Sequence, residues 1–168
     1  MKDHAKIILY AYPLLKTVGK DYEEHIRNRA LLSCDGRWTA EKTAEYLAEE
    51  ILDMRRLEWL KVKVEEILSK LTEEEKILVA IRYFGKKKSK NRSAKEILQG
   101  LGWTERSYFR KQARLEGKLG GLFVACGLTE QVYERDYAHI DIFQKVARAL
   151  KNRGDKKISA NEQRWLEE

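Results

Sequence analysis

One proline, two cysteines and no apolar run beyond a handful of residues set the first limits on this chain. A membrane-spanning helix needs about 20 consecutive apolar residues. The stretch between Gly121 and Gly127 is far shorter, so no transmembrane helix is expected. Asp3 lies near the start, and no apolar stretch leads to a small-residue cleavage site, which argues against a secretory leader. A cytoplasmic location is the expectation. Cys34 and Cys126 form no C-x-x-C pair and read as thiols in a reducing compartment. His4, His25 and His139 lack the H-x₃-H and H-E-x-x-H spacings, so neither a metal nor another cofactor is expected. The G-x-S-x-G, Walker and G-x-G-x-x-G patterns are missing too, and no residue constellation points to an enzyme.

What the chain does have is charge and helix formers. Charged residues make up 36% of it and hydrophobic residues 43%, too apolar a mixture for disorder. With one proline among Glu/Lys/Leu-rich runs, the composition predicts an all-α protein. The net charge of +7 is unevenly placed: residues 1 to 71 hold 13 basic and 13 acidic side chains, and residues 120 to 168 hold 8 of each. Residues 72 to 119, with 13 basic and 6 acidic, carry the whole excess. One concentrated basic block in an otherwise neutral chain suits a binder of phosphate backbones, because each neutralised phosphate releases counterion.

The same boundaries organise the helices. In the helical N-terminal region, residues 1 to 71, an apolar side (Ile7, Ile8, Tyr10, Ala11, Leu14, Leu15) over His4 to Thr17 is interrupted by Pro13, and Lys20 to Leu32 continues helically. Thr39 is placed to cap one long helix from Ala40 to about Lys70. Its apolar seam (Ala44, Leu47, Ile51, Met54, Leu57, Leu60, Val64, Ile67, Leu71) could pack inside the chain or against a second copy, making a homodimer. Thr72 and Glu75 form a capping box that opens a helix to Phe84, ended by Gly85. In the C-terminal region, residues 120 to 168, Leu122 to Cys126 is a short apolar stretch after Gly120 and Gly121. Thr129 is then expected to cap one helix through Val132, Tyr133, Tyr137, Ile140, Phe143, Val146, Ala147 and Leu150, ending at Gly154. Ser159 to Glu162 can open a short terminal helix with Trp165 and Leu166.

The central segment, residues 72 to 119, reads as a helix-turn-helix DNA-binding domain. A first helix over Ala94 to Gly100 offers Ile97, Leu98 and Leu101 inward; Gly102 gives the turn its backbone freedom, Trp103 plugs the space and Thr104 caps a second helix from Glu105 to Lys118. Tyr108, Leu115 and Leu119 keep core spacing on that helix. The candidate DNA-facing set is Thr104, Glu105, Arg106, Ser107, Phe109, Arg110, Lys111, Arg114 and Lys118, because a reading helix presents guanidinium groups to the major groove. Lys86, Lys87, Lys88, Lys90 and Arg92, in a loop with nothing apolar to bury, are placed to meet phosphates.

Ser93 to Leu119 resembles the DNA-reading helix-turn-helix in the fourth conserved region of sigma-70 family factors. Glu96-Ile97-Leu98, Leu101-Gly102, Thr104, Tyr108, Arg114 and Lys118-Leu119 match its pattern without a gap, and Leu71 to Phe84 resembles the family's leading helix. The departures are Leu98 for a small residue, Gln112 at a position that is usually apolar, and the lysine-rich loop. Residues 1 to 70 show no counterpart of the family's aromatic-rich promoter-melting region. The whole arrangement is similar to phage transcriptional regulators of the ArpU and RinA type and to sigma-like positive control factors of prophages. The resemblance implies a sequence-specific regulator that binds double-stranded DNA, with RNA polymerase as a further partner. The competing readings are a phage DNA-packaging component of the small-terminase kind, which would assemble into rings, and a general nucleic-acid binder.

Overall fold

The computed structural model describes residues 1–32, 39–84 and 100–152, all helix and turn with no strand among them. The all-α expectation is met. Helix α1 (Asp3–Ala11) passes through a 3₁₀ turn (Tyr12–Leu14) into α2 (Leu15–Leu32). Pro13 sits in the first positions of that turn, where its missing N–H leaves no helix bond unmade. The tighter winding turns Leu14 outward, 47% exposed, while Leu15 stays buried, so Leu14 leaves the apolar side on which the sequence placed it.

Helix α3 (Ala40–Ser69) is the long helix, capped by Thr39 Oγ1, which accepts from Lys42 N at 3.3 Å. It runs antiparallel to α2: His25 Nδ1 lies 3.6 Å from Glu50 Oε1, and the Arg29 guanidinium sits 5.1 Å from the Tyr46 ring centre. The seam of α3 divides accordingly. Leu57, Leu60, Val64, Ile67 and Leu71 are buried within the chain, while Ala44 is exposed and Leu47, Ile51 and Met54 are half-buried. The side chains that α2 sets against the outer half include His25 and Arg29, whose polar atoms must stay near water, so that half never closes.

Helix α4 (Glu73–Tyr83) carries the complete capping box: Thr72 Oγ1 accepts from Glu75 N at 3.3 Å, and Thr72 N donates to Glu75 Oε2 at 2.8 Å. Helix α5 (Glu105–Ala125) is longer than the sequence suggests. Gly120 and Gly121, beyond the expected end at Lys118, lie inside it, because the buried row Tyr108, Gln112, Leu115, Leu119, Phe123 continues past them at helical spacing. Gly127, at φ 78°, ends it: Gly127 N donates to Val124 O at 3.0 Å and Leu128 N to Phe123 O at 2.9 Å, a Schellman closure.

The expected single C-terminal helix is two. Thr129 caps α6 (Glu130–Asp136), Tyr137 leaves the helical path at φ −130°, and α7 follows over residues 141–152. The apolar spacing runs unbroken through this corner, which hides it from periodicity. The bend brings Tyr133 and Tyr137 edge-on to Phe143, at 6.0 and 5.9 Å between ring centres. His139 Nε2 reaches Asp53 Oδ1 of α3 at 2.9 Å and fixes the corner. Gly154, Ser159 to Glu162, Trp165 and Leu166 lie outside the described residues.

One hydrophobic core gathers side chains from all three segments named from the sequence, from Ala5 to Phe143. Helix α1 fills its middle. Ile8, Leu9 and Ala11 have no exposure, His4 Nε2 donates to Leu128 O at 3.2 Å, and Lys2 Nζ pairs with Glu130 Oε2 at 2.9 Å. No described helix is long and apolar enough to cross a membrane.

Candidate nucleic-acid interface

The start of α5 is built by local chemistry. Gly102 adopts φ 66°, the left-handed conformation that glycine reaches without strain. The chain then turns into Thr104, whose Oγ1 accepts from Ser107 N at 3.2 Å, while Ser107 Oγ donates to Thr104 O at 2.8 Å. Both hydroxyls in the candidate set are therefore engaged in the cap. Trp103 is half-buried against the core, with Lys111 Nζ 4.4 Å from its ring centre.

Helix α5 docks on α4 through a polar crossing. Gln112, 1% exposed, donates from Nε2 to Leu78 O at 3.1 Å and to Tyr108 Oη at 3.2 Å. Around it stand three ion pairs: Lys111 Nζ to Glu74 Oε2 at 2.8 Å, Lys118 Nζ to Glu75 Oε2 at 2.6 Å, and Arg82 Nη2 to Glu116 Oε1 at 2.7 Å. The Glu75 carboxyl sits below the usual carboxylate range. Partial burial pushes it up, but the Lys118 ammonium and the Thr72 amide outweigh that.

The opposite face of α5 is different. Arg106, Arg110 and Arg114 are exposed, one turn apart, and none of them makes an ion pair among the described residues. Of the basic side chains that the sequence assigns to this helix, two are thus neutralised by α4 and three point to solvent unneutralised. Phe109, 36% exposed, and Ala113 lie beside the arginines; Glu105 is exposed at the first helical position. Gly117 and Gly121 are exposed, and a Cβ built on either would meet nothing within 4 Å.

No protein-family model, curated protein or solved structure matches the chain.

Lys86, Lys87, Lys88, Lys90 and Arg92 lie outside the described residues, as do Cys34 and most of the expected first helix of the motif. The docking of Lys111, Lys118 and Gln112 against α4 was not legible from the sequence. Helical spacing puts Lys111 and Lys118 on the flank of α5, but only the packed structure brings the acidic first turn of α4 to that flank.

Proposed function

We propose that the protein is a sequence-specific, double-stranded DNA-binding regulator of transcription, of the kind phages and mobile elements encode, and that α5 is its reading helix. The observation that carries this reading is the exposed row Arg106, Arg110, Arg114, without ion pairs among the described residues, on a helix whose other flank is neutralised. Three uncompensated guanidinium groups on one face repel each other in the free protein, and an anionic partner relieves that repulsion. Arg106 and Arg110 occupy the first two turns, where helix-turn-helix proteins place base-reading side chains, and an arginine can bond O6 and N7 of one guanine together. Arg114 lies further along, toward phosphate. Lys111 and Lys118 act as the struts that hold α5 on α4. RNA polymerase enters as a partner through the sigma-like pattern of residues 71 to 119.

The test begins with selection of binding sites from random duplex. Arg106→Ala or Arg110→Ala is expected to cost about 1–3 kcal/mol on the selected site, with little loss on random duplex. Both variants keeping the wild-type preference, with helix content unchanged by circular dichroism, would remove α5 as the reader.

A further inference from the structure

Beside the arginine row of α5 runs an apolar strip. Phe109, 36% exposed, is the one aromatic side chain of α5 that reaches solvent among the described residues, and Ala113, one turn on, is exposed as well. Residues four apart on a helix are neighbours, so the two form one surface adjoining Arg106 and Arg110. The ring of Phe109 is held from within. It stands edge-on to Tyr108 at 5.3 Å and 68°, and Tyr108 is itself buried and bonded to Gln112. Glu105 precedes Phe109 by one turn in the same row, and a carboxylate there would repel phosphate. If α5 lies on DNA, this row faces base edges instead of the backbone.

In the major groove the polar edges of all four bases carry hydrogen-bonding groups, but only thymine adds a methyl group. We propose that Phe109 and Ala113 receive the 5-methyl group of a thymine next to the guanine bound by Arg106 or Arg110. This rests on α5 being the reading helix. The match is one of chemistry: an apolar strip gains by taking a methyl group out of water and gains nothing from the amino and carbonyl groups of the other bases. The arginines then select guanine and the strip selects thymine, so the two halves of one helix face read different bases.

The experiment uses the full chain and a selected duplex in which each thymine in turn is replaced by deoxyuridine, which removes the methyl group alone. Wild-type protein is expected to lose about fourfold in affinity at one or two positions next to a guanine. Phe109→Ala should bind the thymine and uracil duplexes at those positions alike, and Phe109→Leu should keep most of the difference. A wild-type protein that prefers its selected site over random duplex, yet binds every uracil duplex as tightly as its parent, overturns the thymine inference and leaves α5 as reader. A protein that shows no preference among duplexes overturns both.

Discussion

Gln112 sits in the middle of a buried helix row, where its amide has two donor hydrogens and one acceptor oxygen to place. Nε2 reaches Leu78 O and Tyr108 Oη, whereas Oε1 is buried with no partner among the described residues. A half-satisfied amide stabilises by little more than its bulk, because the unpaired oxygen loses water and gains nothing. Gln112→Leu, close in volume, is therefore expected to lie within about 1 kcal/mol of wild type, while Gln112→Ala opens a hole at the α4–α5 crossing and costs about 1–3 kcal/mol. Urea denaturation midpoints separate the two outcomes. A leucine variant as unstable as the alanine variant would show that the amide bonds, not the volume, hold the crossing. The sequence marks this residue only as a departure, a glutamine where the sigma-like pattern is usually apolar, and gives no sign of what its amide would bond. The exposure of Arg106, Arg110 and Arg114, by contrast, follows from their spacing opposite Tyr108, Leu115 and Leu119.

Among the elements, helix starts were legible and helix ends much less so. Thr39, Thr72, Thr104 and Thr129 each accept from the amide three residues on, as their positions before apolar-periodic runs imply. The end of α5 and the α6–α7 corner escaped, because glycine and turn propensities are small beside the burial of Phe123, Tyr137 and Phe143. Glu75 shows one side chain serving two elements, since Oε2 both completes the α4 capping box and receives Lys118 of α5. Glu75→Gln can still close the box but loses the ion pair; Glu75→Ala loses both. The pair is partly exposed, so Gln should cost less than about 1 kcal/mol, and Ala a further 0.5–2 kcal/mol, roughly the worth of a cap. Thermal unfolding at neutral pH reads the difference. Because the folded carboxyl is held low, its contribution is present above the ordinary carboxylate range and is lost as pH falls through the lowered value. The wild type and Glu75→Gln should therefore converge in acid.

At the scale of the whole molecule, the aromatic core sets an alkaline limit. Burial, aided by the Asp136 charge, pushes the Tyr137 hydroxyl up to about 12 from its ordinary 10.0, and burial raises Tyr133 and Tyr22 as well. The neutral hydroxyl is the native form, so its contribution is complete below pH 10 and is lost as pH rises through about 12. Melting temperature should be flat to about pH 9 and fall steeply above pH 10. Tyr137→Phe should shallow that fall; an unchanged slope would assign it to other groups. The composition announced a single helical class, but not that residues from Ala5 to Phe143 would share one core, because helical periodicity tells which face is buried and not against what.

The bond from His4 to Leu128 spans 124 positions of the chain, and the ion pair from Lys2 to Glu130 spans 128. A ribosome adding about 5–20 residues per second makes His4 wait roughly 6–25 seconds for its carbonyl partner. Through that interval Ile8, Leu9 and Ala11 have no finished core to enter. Closure of the core over α1 consequently waits until Leu128 and Glu130 have been made, and a chaperone that shelters the α1 face during that interval would act at its most vulnerable point.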